Sequence, residues 1–285
     1  MQHDRTSDYC DLLTVKDPGS LSDLAGVTTY DAMLQRWGEI ASSFIDEFTK
    51  RHFYCWEGIK YFNGEGQTLN LPVDILSISA FSLDLDGSGN FATTVNSTDY
   101  VLNPTYTYPK TYIKKSLVSS IGAFAPSVPN GVKIAGVYGY GTGHTATPYV
   151  DSGVTVNTGG ITNSATTHSL ATGKGDNFGA GMTLRIDTEQ LYVTGVSTDT
   201  LTFMRGANGT TAAAHLAGAT IYIYQYHPLA VGACLMQLQI WWKRRESAFA
   251  SRTGNTITGE YEIFAGLDPG VQAMLTTGKL RRHVL

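Results

Sequence analysis

The sequence predicts an α+β protein: a small helical bundle with β-hairpin and sheet extensions and, late in the chain, a small all-β unit of barrel or sandwich type. Three observations lead there. Residues 228–249 and residues 30–48 each carry an apolar helical repeat, and the long stretch between them is rich in Gly, Thr, Ser, Tyr and Val. In the later segment Val231, Cys234, Leu235, Leu238, Trp241 and Trp242 recur on one helical face, and the pattern turns polar at Lys243, Arg244 and Arg245. Pro228 suits a first helical position, where its missing N–H has no intrahelical partner, and the basic cluster suits the negative end of the helix dipole. In the earlier segment Tyr30, Met33, Leu34, Trp37, Ile40, Ala41, Phe44, Ile45 and Phe48 keep the same period, with Thr28 and Asp31 as a capping box. Helices over about 29–52 and 228–250 are therefore expected to pack on each other through Trp37, Phe44, Leu238 and Trp241.

The stretch between the helices reads as a series of short strands. Residues 53–56 are bulky and suit a strand after the first helix, and Ile75, Ile78, Phe81, Leu83 and Leu85 form another, turned by Asp86-Gly87-Ser88-Gly89 into a hairpin. Residues 100–102, 111–118 and 132–138 are further strands, punctuated by Pro104, Pro109, Pro126 and Pro129. Residues 141–165 are poor in charge and in large side chains, which predicts a linker or extended arm. Strands at 184–186, 190–193, 201–204 and 220–224 then follow at the close spacing of a small barrel or sandwich.

A chain of 285 residues has room for two ordinary domains. Its formal net charge of −4 does not ask for nucleic acid as a bulk partner, so any contact with DNA has to be local. Cys10, Cys55 and Cys234 are odd in number, far apart and in no CxxC, which predicts neither a disulfide framework nor a zinc knuckle and favours a reducing compartment. No apolar run follows a basic N-terminus and none approaches the length of a membrane span, so a soluble protein made in the cytoplasm is expected, with no membrane partner.

Chemistry is sparse. Residues 84–90, DLDGSGN, alternate carboxylates as a calcium loop does, but the distal bidentate Glu is missing and a plain hairpin turn explains them better. Residues 173–179, GKGDNFG, lack the strand-to-helix context of a phosphate loop. No GxSxG or HExxH is present; His215 is expected to bond a neighbouring turn and Arg205 to clamp one. No catalytic, cofactor-binding or metal-binding residue is assigned, no cofactor is expected, and the chain is read as a non-enzyme. The charge that does concentrate is basic: Lys243, Arg244 and Arg245, which would face DNA or a neighbouring subunit, and Lys279, Arg281 and Arg282 in the tail. The tail from 254 onward is too short to make its own core and should need a partner surface.

Several local patterns together resemble the head–tail connector, or adaptor, proteins of tailed bacteriophages. Tyr9-Cys10-Asp11-Leu12 with Val15-Lys16, then residues 40–46 and 49–53, look like the opening helices of that family. Residues 99–104, DYVLNP, look like its D-Y-x-L-x-P strand, and residues 131–140, GVKIAGVYGY, resemble the strand that normally runs into the P-x-x-V of the last helix. Here that continuation arrives only at Pro228–Val231, so residues 141–226 look like an inserted β domain, leaving 1–140 and 227–285 as the connector domain. The insert has its own resemblance: Arg205-Gly206-Ala207-Asn208-Gly209-Thr210 with His215 and Gly218 looks like an R-G-x-x-G-T…H…G module of phage structural proteins.

The resemblance implies a virion protein of the neck. It would form a homo-oligomeric ring of about twelve copies between the portal and the next tail component, a stopper, tail terminator or tail tube or nozzle protein. Such a ring helps join head to tail and keeps the DNA channel closed to the outside. The portal-binding residues would be Leu280, Arg281, Arg282, Val284 and Leu285. The alternatives are a tail-associated receptor- or carbohydrate-binding protein acting through the Tyr-rich insert, and a hydrolase with paired carboxylates in a pocket.

Overall fold

The computed structural model describes residues 7–245, 252–255, 260–263 and 266–282. In chain order its elements are α1 (Leu12–Val15), α2 (Asp31–Thr49), β1 (Trp56–Phe62), β2 (Thr68–Leu83), β3 (Thr93–Thr94), β4 (Tyr100–Asn103), β5 (Lys110–Lys115), β6 (Val132–Tyr138), β7 (Tyr149–Thr155), β8 (Thr167–Ser169), β9 (Thr183–Ile186), β10 (Glu189–Ser197), β11 (Thr200–Met204), β12 (Thr220–Tyr224), α3 (Pro228–Arg244), β13 (Arg252–Asn255), β14 (Glu260–Ile263) and α4 (Pro269–Thr277).

The expected helical bundle with an inserted domain is overturned. Twelve strands form two six-stranded antiparallel sheets, β1-β6-β2-β5-β4 with β3 on β2, and β7-β12-β9-β10-β11-β8, and the helices are few. The reason is physical. A 3.6-residue apolar repeat announces a helix even when it is a minor part of the mass, whereas strands built from Gly, Ser, Thr and Tyr alternate weakly and read as appendages. The described residues separate into two compact units: those within 7–50, 149–207 and 211–282 in one, residues 51–148 and 208–210 in the other.

In the second of these units the first sheet carries its own core. β6 buries every second residue, placing Val132, Ile134 and Tyr138 against Phe81, Ile113 and Phe124. β2 runs 16 residues, longer than its alternation suggests, because Pro72 falls at a register shift between Asn70 and Ile75 where no ladder bond to β5 is needed. The hairpin at 84–90 is present: β3 returns on β2 with Ser82 opposite Thr94.

In the first unit the helices and the second sheet are held together by the N-terminal segment. The Tyr9 amide donates to Ser42 Oγ on α2 (3.0 Å), its hydroxyl donates to Asp46, and its ring meets Tyr226 edge-on at 5.1 Å. Tyr192 on β10 donates to Asp8 (2.6 Å), and the Leu12 amide donates to the Ala180 carbonyl (2.9 Å). A Cys10–Cys234 disulfide, with Cα atoms 6.2 Å apart, ties the segment to α3, and Cys55 is buried outside any disulfide. This corrects the reading of three unpaired cysteines, since a separation of 224 residues gives the sequence no spacing signal for the pair.

Three local expectations also change. α2 stops at Thr49, with Lys50 in the left-handed region at φ 55°, rather than at 51–52. Its capping box does not form: Tyr30 is the N-cap without a side-chain bond, and the Asp31 carboxylate pairs with Lys16 instead. Residues 141–165 are not a linker, because β7 pairs along β12 and Val154, Val156 and Ile161 enter the core of the second sheet. That sheet curls: the Asn157 amide, two residues past β7, donates to His168 Nε2 on β8 (3.0 Å), so its two end strands approach each other. At α3 the expected Pro228 start holds, with His227 Nδ1 accepting from the Leu229 amide (3.2 Å); the stretch 246–250 lies outside the described residues.

Candidate functional site

A concentrated set of charged side chains gathers where β9 turns into β10. Glu189, the first residue of β10, has no exposed surface; both its oxygens receive Arg205, from Nε and Nη2, at 2.7 Å. The amides of Gly206 and Ala213 donate to the same carboxylate at 2.9 Å each, and His215 Nε2 lies 2.9 Å from it. His215 Nδ1 in turn lies 2.8 Å from Asp187. The remaining Arg205 donors reach the carbonyls of Thr162, Ala165 and Ala213. Burial by itself would push the Glu189 carboxyl up, but the Arg205 guanidinium, the two backbone amides and His215 hold it down at about 2.

This arrangement is a clasp. One guanidinium and one carboxylate fix the loops at 162–165, 205–206 and 213–215 onto the start of β10, which is the work the R-G…H pattern does in this fold. The sequence singled out Arg205 and His215 and missed Glu189 and Asp187; the signal was the acidic D-T-E turn between two strands.

Elsewhere carboxylates are likewise taken up by backbone amides. Asp84, 5% exposed, accepts from the amides of Gly87 (2.9 Å) and Gly89 (2.7 Å), so the calcium-like stretch is a turn stapled by its own first residue. Asp199 accepts from Gly173, Lys174 and Gly175 at 2.9–3.0 Å, which occupies the amides of the glycine-rich 173–179 loop and lowers the Asp199 pKa. Asp99 accepts from the Asn96 amide and the Ser119 hydroxyl, which also lower its pKa, the Ser119 bond most. Among the described residues no group of three or more His, Cys, Asp or Glu side chains is placed to hold a metal ion.

The helix contacts assigned from the sequence fall as follows. Trp37 and Trp241 meet edge-on with centroids 6.0 Å apart, Phe44 meets Trp241 at 6.4 Å, and Tyr30 meets Trp242 at 5.1 Å. Leu238 is buried, but Phe44 keeps 38% of its surface exposed and lies at the rim. Of the basic set, Lys243 is exposed, Arg244 pairs with Asp268 at the start of α4 (3.2 Å), and Arg245 stacks on Trp242 at 3.7 Å. In the tail Leu280 is only 1% exposed and the Arg282 amide donates to the Thr49 carbonyl (2.7 Å), so both bind their own chain. Arg281 is exposed beside Phe48, and Val284 and Leu285 lie outside the described residues.

Two surface features were not legible beforehand. A cavity of about 510 Å³ opens in the first unit between α1, the start of α2, residues 178–180 and the middle of β10. On the second unit, large apolar side chains stand in solvent: Tyr106 at 96%, Leu117 at 101% and Val118 at 88% exposure. The chain matches no protein-family model and has no significant match among curated proteins or solved structures.

Proposed function

We propose that the chain is a structural protein of a tailed-phage virion, a head–tail connector that assembles as a ring at the portal and offers its β-rich loops to the next neck or tail component. The observation that carries this reading is the set of apolar side chains left in water on anchored loops. Leu117 and Val118 follow β5 on a loop whose base is fixed by Asp99: the Ser116 amide donates to the Asp99 carbonyl and the Ser119 hydroxyl to its carboxylate, both at 2.8 Å. A contiguous pair of exposed large apolar residues on a braced loop is the mark of a protein interface.

The order of the connector-like motifs along the chain supports the same reading, as does the use of Glu189, Arg205 and His215 to brace loops. On it, the exposed Lys243, Lys279 and Arg281 are the members of the two basic sets left to meet the portal, a neighbouring subunit or DNA in the channel, and the protein belongs to the virion neck. Co-sedimentation with portal rings of the virus that encodes the chain tests this. The protein should pellet with the rings and lose that association when Arg281 and Lys243 are both changed to Glu. A wild-type protein that stays in the supernatant would remove the reading.

A further inference from the structure

The cavity and the exposed loop tip have complementary chemistry. The cavity is lined mainly by apolar side chains, among them Leu13, Pro18, Ala25, Phe178 and Val196, and its charged members are Lys16, Asp17 and Asp31. Lys16 and Asp31 pair with each other, and the Lys16 ammonium also donates to the Val27 carbonyl (2.7 Å), so the charge left at the mouth is that of the exposed Asp17. Two of its lining residues are joined by the Leu12 amide, which donates to the Ala180 carbonyl (2.9 Å). The tip presents Leu117 and Val118, almost wholly in solvent, three and four residues after Lys114, an exposed cation with no ion pair among the described residues.

We infer that the Leu117–Val118 tip of one copy seats in the Leu13–Phe178–Val196 cavity of a second copy, with Lys114 of the first facing Asp17 of the second. An apolar knob with a cation at its root fits an apolar hole with a carboxylate at its mouth, and each copy carries one of each. Because knob and hole are different surfaces, the contact is head-to-tail, the type of contact that builds a ring when its rotation closes and a filament when it does not. This names the contact on which the proposed ring would be built and so rests on that reading.

The test uses the full chain, with and without portal rings, and measures assembly size by light scattering across protein concentration. Changing Leu117 and Val118 together to Asp should weaken self-association on the order of a hundredfold, the loss expected when two buried aliphatic side chains are withdrawn. Both residues are exposed in the single copy, so the variant should keep the wild-type melting temperature. Lys114→Glu and Asp17→Lys should each weaken assembly, and the two together should restore it. Val118→Cys and Ala25→Cys proteins, each made separately and mixed with a bismaleimide, should give a covalent heterodimer that neither gives alone.

A Val118→Cys protein that cross-links to itself would show a symmetric contact and overturn the inference. If rings form on the portal and the Asp variant forms them equally well, this contact is wrong while the connector reading stands. If the wild type neither self-associates nor assembles on the portal, both fail.

Discussion

Replacing Glu189 by Gln keeps the shape of the side chain, removes its charge, and turns one acceptor oxygen into a donor that faces other donors. In the folded protein the carboxyl sits at about 2 against an ordinary 4.5, a difference worth about 3 kcal/mol at neutral pH. The variant also strands the Arg205 guanidinium, 8% exposed, without its counter-charge, and broken buried pairs cost about 3–5 kcal/mol. A loss of about 3–5 kcal/mol at pH 7 is therefore expected. The sign of the pH dependence follows from the depressed pKa: the wild type has this stabilisation in full above 4.5 and loses it as pH falls toward 2, whereas the Gln variant has none to lose. Urea unfolding of both proteins at several pH values, with hydrogen exchange read at the Gly206 and Ala213 amides, measures the difference. Asp99 and Asp199 have lowered pKa values too, so the quantity of interest is variant against wild type at each pH. A gap between the two proteins that is the same at pH 7 and near pH 2 would refute the clasp.

Other consequences are more local. Leu280→Ala should cost about 2–5 kcal/mol in thermal or urea unfolding, because the side chain is core; Arg281→Ala should leave stability within about 0.5 kcal/mol. Lys110, 4% exposed, donates to the carbonyls of Pro104, Thr105 and Thr107 at 2.6–2.9 Å, and Lys110→Met should cost about 2–4 kcal/mol and raise exchange across 104–109. Gly175→Ala would put a methyl 1.7 Å from the Thr198 carbonyl oxygen, so the loop held by Asp199 should open, seen as lost protection of its three amides. Burial lowers the His168 pKa, and its Nε2 accepts a bond that only the neutral ring can accept; NMR titration should place it below 6.5, with its stabilisation lost as pH falls through that value.

How much was legible in the sequence depends on how local its cause is. The helix at Pro228 and the strands at 132–138, 201–204 and 220–224 are written in nearest-neighbour patterns and stand where expected. So does the turn chemistry of Asp84, whose carboxylate accepts from amides within five residues of it. The relation between helices and sheets was not local. It depends on residues 7–12 reaching α2, α3 and β10, through Tyr9, Cys10 and Asp8, each of which is one ordinary residue in a short polar stretch. The clasp was half legible: Arg205 and His215 stood out within the R-G-x-x-G-T…H…G pattern, while Glu189 lies outside that pattern. Leu280 was read as facing a partner because a tail too short to make its own core was expected to need another surface, whereas its side chain is 1% exposed within its own chain.

The connector reading can be tested most directly by imaging the purified chain in negative stain with the portal rings that this reading assigns to it. Closed rings of the chain stacked coaxially on the portal are the predicted result. Portal rings that stay bare while the chain remains as single particles would contradict it.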